Sequence, residues 1–348
     1  MKRRMTRKRI VPLVLAALLA CLCGCAAGRE TPTIRVGVAL YLQEDTFLST
    51  VVQNLEQLAR VREAELGVKI NLNIADARSS QASQNEQVDR FLQQGCDVIC
   101  VNLVDRTAAA VIVDKAQAAG VPIIFFNRQP VEEDLARWDR AYYVGSKADR
   151  AGVLQGEIVL DAWEADPDAL DRSGDGVLQY VMLEGEPGHQ DTLLRTEHCV
   201  KTLTEAGAAV EKLASDNADW VRGQAALQMQ QWLEDFGGAI EVVFANNDDM
   251  ALGAIDACLS AGMTQEELPF IVGVDATPPA LEAVAAGTLK GTVQNDAAGQ
   301  AKSILDLCCA LAQGRSADSA VELEDGKYVW LEYTAVTAEN LEDFLPEV

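Results

Sequence analysis

The residues of this sequence that could take part in chemistry recur directly after short apolar runs. They comprise three carboxylates, three amides, one imidazole, one guanidinium and two aromatic rings: Asp45, Asp191, Asp275, Asn127, Asn247, Asn295, His189, Arg195, Phe47 and Trp220. Carboxylates accept hydrogen bonds from hydroxyl groups, amides and guanidinium donate to them, and aromatic rings cover apolar C–H faces. The set favours a neutral polyhydroxyl ligand, because an anionic ligand would call for more cationic groups.

A second pattern lies in the polar segment 171–179, DRSGDGVLQ. Its spacing follows the start of an EF-hand loop, with side-chain oxygens at positions 1, 3, 5 and 9, glycine at position 6 and a backbone carbonyl at position 7. In that order the residues are Asp171, Ser173, Asp175, Gln179, Gly176 and Val177. Position 12, which is usually acidic, is Met182, so the segment by itself lacks the bidentate carboxylate of an EF-hand. A surface loop without metal is the alternative.

The residues of the first set need a scaffold that brings distant loops together. From Thr33 onward, short β-branched runs alternate with longer amphipathic segments. The strand candidates are 34–40, 70–74, 97–103, 122–126, 141–144, 179–183, 210–213, 241–245 and 270–274. The helix candidates are 48–66, 83–94, 107–119, 148–163, 191–206, 220–236, 249–261 and 297–312. This alternation predicts an α/β fold with two doubly wound parallel-sheet lobes, in which the loops that follow the strands meet at one edge of each sheet.

The order of these residues resembles the type I sugar-binding protein family that serves ABC transporters, and in particular its galactose- and glucose-binding members. The similarity runs from Arg35 to about Phe344. Its most specific segments are DTF at 45–47, VPIIFFN at 121–127, AYYVG at 141–145, GEPGH at 185–189 with Asp191 and Arg195, EVVFANND at 241–248, GVD at 273–275 and GTVQND at 291–296.

The resemblance implies a role for each candidate residue. The residues implied to hydrogen-bond a sugar are Asp45, Asn127, His189, Asp191, Arg195, Asn247, Asp275 and Asn295. Phe47 and Trp220 would enclose its ring. Glu241 would supply the missing bidentate carboxylate, so that structural Ca²⁺ is held by Asp171, Ser173, Asp175, Val177, Gln179 and Glu241.

The resemblance also implies the organisation of the chain. One lobe would comprise 31–146 plus 295–330, and the other 147–294 plus 331–348 with the calcium loop. Three chain crossings, near 144–146, 293–296 and 330–332, would form the hinge between them. Sugar would bridge the lobes and stabilise the closed form, which a permease recognises.

The charge of the chain is uneven. Lys and Arg number 29 against 53 Asp and Glu, a formal net charge of −24, which disfavours nucleic-acid partners. Residues 1–9 nevertheless hold six basic side chains and are followed by an apolar run over 10–22 and then Cys23-Gly24-Cys25. This layout predicts a lipoprotein signal over 1–25 with lipid on Cys25. Cys21 is a second candidate for lipidation, and an uncleaved anchor is the alternative.

These observations predict an exported monomer that touches the membrane only through its N-terminal lipid, on the outer face of the cell membrane or in the periplasm. Its predicted function is capture of D-galactose, D-glucose or a methyl galactoside for an ABC transporter permease, with no enzymatic activity. A sensing role for a chemoreceptor or histidine kinase stays open. Glycoside hydrolysis by Asp45 and Asp191 is a remote alternative, because no acid–base or nucleophile motif accompanies them.

Overall fold

A computed structural model of the chain describes residues 31–345. The predicted signal with Cys21 and Cys25, and residues 346–348, lie outside the described residues. The strands are β1 (Thr33–Leu40), β2 (Lys69–Asp76), β3 (Val98–Val101), β4 (Ile123–Phe126), β5 (Ala141–Ser146), β6 (Leu178–Glu184), β7 (Val210–Asn217), β8 (Val242–Ala245), β9 (Phe270–Val272), β10 (Gly291–Gln294), β11 (Tyr328–Leu331) and β12 (Thr334–Thr337).

Helices fill most of the intervals between these strands. They are α1 (Thr46–Leu66), α2 (Gln81–Gln93), α3 (Ala109–Ala119), α4 (Glu132–Leu135), α5 (Ala148–Ala165), α6 (Pro167–Leu170), α7 (Gln190–Glu205), α8 (Arg222–Phe236), α9 (Asp248–Ser260), α10 (Pro278–Ala285) and α11 (Ala297–Ala312). Among the described residues, no helix is both long and apolar enough to cross a lipid bilayer.

The strands form two six-stranded sheets, one in each lobe. The first sheet has the order β11-β5-β4-β3-β1-β2 and the second the order β12-β10-β9-β8-β6-β7. All pairings are parallel except that of β12 with β10. The predicted fold class, two doubly wound parallel-sheet lobes, is therefore confirmed, with one antiparallel strand at the edge of the second sheet.

Burial on both faces of the sheet explains why the central strands are apolar at every position. The segments VICV of β3 and IIFF of β4 are buried at every position, as expected where helices cover both faces of a parallel sheet. In the first lobe α11 returns to pack against α1, and in the second α5 packs against α7. The six cysteines of the described chain are buried and free, and act as small apolar side chains.

The chain passes between the two sheets three times. It leaves the first sheet after β5 to enter α5, returns from β10 into α11, and crosses again from β11 to β12. These passages lie at 146–148, 294–297 and 331–334. A cleft between two lobes joined by adjacent strand ends can widen or narrow by small backbone rotations at those ends.

Several elements differ from the sequence-based expectation. The helix expected over 220–236 begins at Arg222, because Asp219 and Trp220 adopt left-handed backbone conformations that a helix cannot include. The strand expected over 97–103 is limited to β3. Strands β10, β11 and β12 were not expected. The segments of β10 and β12, GTVQ and TAVT, mix polar with apolar residues, unlike the wholly apolar four-residue strands β3, β4 and β8.

Candidate ligand-binding site between the lobes

A narrow cavity of about 30 Å³ lies between the lobes, where the loops that follow the strands meet. It is lined by Tyr41, Asp45, Phe47, Asn127 and Arg128 of the first lobe and by His189, Asp191, Arg195, Trp220, Asn247 and Asp275 of the second. The cavity thus brings together every residue of the predicted ligand-binding set except Asn295. Asn295 lies behind Asp275, to whose Oδ1 its amide donates a hydrogen bond at 3.2 Å.

Three of these residues also cap the helices that point at the cavity. Asp45 caps α1, His189 caps α7 and Asn247 caps α9, each by accepting a backbone N–H of the first turn. A strand followed directly by a helix places the cap residue at the carboxyl end of the sheet. Capping and facing the cavity are therefore compatible roles, and the cap fixes the orientation of each side chain.

The first lobe presents Asp45 and Asn127. Asp45 accepts the N–H of Leu48 at 2.8 Å through Oδ1 and the hydroxyl of Tyr41 at 2.7 Å through Oδ2. Asn127 has a left-handed backbone with φ of 60°, which asparagine tolerates better than most residues. Its Oδ1 accepts from Asn102 at 3.0 Å, which leaves its amide N–H groups as donors to a ligand.

His189 is held as a neutral donor. Its Nδ1 accepts the backbone N–H of Asp191 at 3.1 Å, so the ring proton resides on Nε2. Burial lowers the pKa of His189 well below its usual range, and the nearby guanidinium groups of Arg128 and Arg195 act in the same direction. The imidazole is thus uncharged at neutral pH and offers one N–H.

Arg195 is the centre of a buried network in the second lobe. Its side chain is 4% exposed, and it donates to Asp191 Oδ2 at 3.1 Å, to the carbonyl of Asn246 at 2.8 Å and to the Tyr333 hydroxyl at 3.2 Å. Burial raises the pKa of Asp191, and Arg195 opposes that effect. The Nε of Arg195 is buried and has no hydrogen-bond partner among residues 31–345.

Trp220 forms one wall of the cavity and is 9% exposed. Its ring meets that of His189 edge-on at 5.2 Å between centroids, and its backbone carbonyl accepts from Asn247 at 3.3 Å. A Cβ atom at Gly185 would collide with the Trp220 ring, so this close approach requires glycine at position 185. The indole Nε1 is buried without a partner in the described part of the chain.

Asp275 completes the second-lobe wall. Its backbone has a φ of 122°, an uncommon conformation for a residue with a side chain, and burial raises its pKa well above the usual range. Asn295 donates to it and in turn accepts from Gln300 at 2.9 Å. Strained backbone at a site of this kind is maintained by surrounding contacts and favours a functional role.

Comparisons with known proteins bear on what this cavity does. The sequence profile of the periplasmic binding protein domain matches residues 36–316. The D-galactose/methyl-galactoside binding periplasmic protein MglB of Haemophilus influenzae is 38% identical to this chain over 325 residues, which are 92% of this chain and 95% of that protein. The chain belongs to the periplasmic binding protein family. Its family resemblance, expected from the sequence motifs, is confirmed.

Other similar proteins bind other small molecules. The xylitol-binding protein of Mycolicibacterium smegmatis is 29% identical over 92% of this chain and 83% of its own length. A solved structure of an ABC transporter solute binding protein from Bacillus halodurans with bound myo-inositol shares 29% identity and a TM-score of 0.73, over 91% of this chain and 98% of that one. Because these relatives are named as binding proteins, they agree with the prediction that this periplasmic binding protein is not an enzyme.

Tyr41 and Arg128 were missed by the sequence analysis, although both line the cavity of this periplasmic binding protein. Tyr41 directly follows β1 and Arg128 comes second after β4, so both satisfy the positional rule that selected the others. The guanidinium carbon of Arg128 lies 3.4 Å from the centroid of the Tyr41 ring. A rule applied to every residue within two positions of a strand end would have included them.

The loop expected to hold calcium wraps around Asp171. The Oδ1 of Asp171 accepts from the Ser173 hydroxyl at 3.0 Å and from the Gly174 N–H at 2.6 Å, and its Oδ2 accepts from the Gly176 N–H at 2.7 Å. Gly176 has a φ of 80°, the left-handed turn that the sixth position of such a loop requires.

Glu241 lies next to this loop, as the resemblance implied. It is 1% exposed and accepts the backbone N–H groups of Ser173 at 3.1 Å and Gln179 at 3.0 Å. Gln179 donates to Asp175 at 3.0 Å, whereas its Oε1 is buried and has no partner among the described residues. A buried carboxylate and an unpartnered amide oxygen beside two loop carboxylates are donors that suit a hard cation.

The carboxylates of the loop and of Glu241 would not complete a metal coordination shell by themselves. Within residues 31–345, no group of three or more His, Cys, Asp and Glu side chains is arranged to hold a metal ion. The amide oxygen of Gln179 and the backbone carbonyl of Val177 would therefore have to complete the coordination shell of the loop.

Proposed function

We propose that this periplasmic binding protein captures D-galactose or D-glucose between its lobes and delivers it to the membrane permease of an ABC transporter. The observation that supports the proposal is the convergence of carboxylates, amides, a neutral imidazole and two aromatic rings from both lobes on one cavity. The similarity to a D-galactose/methyl-galactoside binding protein over nearly the whole chain adds weight to a hexose rather than another polyol.

The cavity offers acceptors and donors in the proportion that sugar hydroxyl groups need. Asp45, Asp191 and Asp275 provide acceptor oxygens, while the free N–H groups of Asn127, His189 and Arg195 provide donors. Each hydroxyl can then donate to one group and accept from another. Phe47 and Trp220 would cover the two apolar faces of the ring.

The test is a calorimetric titration of the purified protein with a panel of neutral ligands: D-galactose, D-glucose, methyl β-D-galactoside, D-ribose, xylitol and myo-inositol. We expect the tightest binding for one of the two free hexoses. Tighter binding of ribose, xylitol or myo-inositol than of either hexose would overturn the hexose assignment.

We further propose that the loop 171–179 and Glu241 hold a structural Ca²⁺ ion. Bound calcium would neutralise the buried carboxylate of Glu241 and tie the loop to the strand end beside it. A chelator should then lower the melting temperature of the wild-type protein, and Asp175→Asn should remove this response. Asp168→Asn, at an exposed position just before the loop, is the matched control and should keep it. No shift with chelator in the wild type would contradict the proposal.

We also propose that the protein is exported and anchored through lipid on Cys25. The basic n-region, the apolar run and the Cys-Gly-Cys sequence support this assignment. Mass spectrometry of the protein from its host membrane should find diacylglyceryl on an N-terminal Cys25, and Cys25→Ala should release the protein. An N-terminus at Cys21 would contradict the choice of cysteine.

A further inference from the structure

The two lobes contact each other across the cleft through polar side chains. Away from the hinge crossings, three pairs of side chains with one member from either lobe make these contacts: Arg128 with Glu186 at 2.9 Å, Thr46 with Asp249 at 2.6 Å and Gln129 with Gln190 at 3.3 Å. Among the ion pairs of the described chain, that between Arg128 and Glu186 joins the lobes at the wall of the ligand cavity.

Arg128 is held mainly by its own lobe. It is 5% exposed, its guanidinium stacks on the Tyr41 ring at 3.4 Å, and its NH1 also donates to the carbonyl of Val104 at 3.2 Å. Glu186 belongs to the GEPGH segment of the second lobe, and its side chain is 30% exposed. Separation of the lobes would therefore remove Glu186 from Arg128 and leave the guanidinium with only its first-lobe contacts to Val104 and Tyr41.

A short chain of contacts links this ion pair to the ligand cavity. The Tyr41 ring lies under Arg128, and its hydroxyl donates to Asp45 Oδ2 at 2.7 Å. Burial raises the pKa of Tyr41, and the neighbouring Asp45 carboxylate acts in the same direction, so the tyrosine remains a hydrogen-bond donor. Asp45 therefore receives one of its hydrogen bonds from a ring that packs directly against Arg128.

We propose that Arg128 is a positioning residue that couples closure of the lobes to the orientation of Asp45, with Glu186 as the counter-charge that engages it in the closed form. This inference rests on the proposed function, because it takes Asp45 as a ligand-binding carboxylate. The ion pair stabilises the closed form in the absence of ligand, and a bound ligand adds its own contacts to the same form.

Removing one member of this pair should cost more than breaking an ordinary surface ion pair. An exposed pair contributes little because water screens both charges, whereas a guanidinium that is almost fully buried depends on its partner. Arg137 and Asp114 provide the comparison, since they form a two-pronged pair within the first lobe with both side chains exposed to water. Asp114→Asn is therefore the matched control for Glu186→Gln.

The first readout is the radius of gyration of the ligand-free protein by small-angle X-ray scattering. Glu186→Gln should increase it toward an open form, while Asp114→Asn and Tyr41→Phe should leave it at the wild-type value. Equal radii for Glu186→Gln and the wild type would overturn the proposed role in closure. Because this measurement uses no sugar, a failure of the wild type to bind hexose would count against the proposed function alone.

The second readout is the hexose Kd of single and double variants. We expect Glu186→Gln and Tyr41→Phe each to raise Kd about tenfold, and the double variant to raise it clearly less than a hundredfold, because coupled residues are not additive. Asp114→Asn combined with Tyr41→Phe should be no worse than Tyr41→Phe alone. A hundredfold loss in the first double variant, as independent sites would give, would overturn the coupling.

Discussion

The two lobes contribute differently to the cleft of this periplasmic binding protein. The second lobe supplies six lining residues, several of them joined in buried hydrogen-bond networks around Arg195 and Asp275. The first lobe supplies five, of which Asp45 is held by a helix cap and by Tyr41. The second-lobe wall is thus tied together by a buried network, whereas in the first-lobe wall Asp45 is held by two separate contacts and Arg128 also reaches across to Glu186.

This difference suggests that the two lobes contact the ligand at different stages of binding. A wall whose side chains are fixed before binding loses little conformational entropy when a ligand arrives, so the second lobe is suited to first capture. The first lobe then completes the site as the cleft closes. Substitutions in the second-lobe network should therefore reduce stability and binding together, whereas those in the first-lobe wall should reduce binding alone.

The largest effect on stability should come from Arg195→Met. It leaves Asp191 buried without its cation and removes the donors to Asn246 and Tyr333, so we expect a loss of about 3–5 kcal/mol in the free energy of unfolding. Urea denaturation measures this loss. Arg137→Met removes an exposed arginine from its ion pair and should cost less than about 1 kcal/mol. Similar losses of unfolding free energy in Arg195→Met and Arg137→Met would contradict the expected difference between the buried network and the exposed ion pair.

The second prediction concerns Asp248, whose pKa burial raises to about 7 from the usual 3.8. The folded chain then binds a proton between about pH 4 and pH 7 that the unfolded chain does not. The corresponding stability is full below pH 4 and is lost as pH rises through 7, by up to about 4 kcal/mol at 1.4 kcal/mol per unit.

The slope of the free energy of unfolding against pH can be measured from pH 4 to pH 7. Asp248→Asn should make this slope less steep. Part of the slope should remain, because burial raises the pKa of Asp275 in the same direction. Asp114→Asn, at an exposed first-lobe position, should keep the wild-type slope. A slope in Asp248→Asn equal to that of the wild type would show that the buried carboxyl does not carry this proton.

A third, smaller effect is expected from Gly185→Ala. The added methyl group would collide with the Trp220 ring, so the ring must move, at a cost of roughly 1–3 kcal/mol in stability together with weaker hexose binding. Gly223→Ala, where a Cβ meets nothing within 4 Å, is the control and should leave both quantities close to wild type. Unchanged Kd and melting temperature in Gly185→Ala would mean that Trp220 is not held as described.

The smallest effect on stability should come from Asp45→Asn in the first lobe. Asparagine caps a helix about as well as aspartate, so we expect a change below about 0.5 kcal/mol. The hexose Kd should nevertheless rise about tenfold or more, because a charged acceptor is replaced by a neutral one. Asp105→Asn, a cap outside the ligand cavity, should change neither. If Asp45→Asn lowered the free energy of unfolding without weakening hexose binding, it would contradict the expectation that substitutions in the first-lobe wall reduce binding alone.

The sequence predicted most of the fold because its long elements carry clear periodicity. Strands such as β1 and helices such as α1 are long enough for alternation and capping residues to be recognised. Strands β10 and β12 lack the continuous apolar run that marks the equally short β3 and β4, and the position of β10 to β12 depends on pairing with distant strands. The start of α8 was misjudged because the amphipathic pattern continues through Trp220, where a left-handed backbone interrupts it.

Much of the candidate site could also be predicted, because residues that follow parallel strands share one edge of the sheet. What sequence could not reveal is how those residues are supported. Arg128 stacks on Tyr41 and pairs with Glu186, and both contacts join segments that are far apart in the chain. The sequence around each residue gives no sign of which partner it contacts. Arg195 was expected as a ligand residue, but its bond to Tyr333 depends on the third crossing between the lobes.

Crystal structures of the protein grown with D-galactose and with D-glucose would show whether a hexose bridges the two lobes. We expect a hexose ring between Phe47 and Trp220, with hydroxyl groups within hydrogen-bond distance of Asp45 from one lobe and Asp191 from the other. A hexose bound elsewhere, or one that contacts a single lobe, would contradict this expectation.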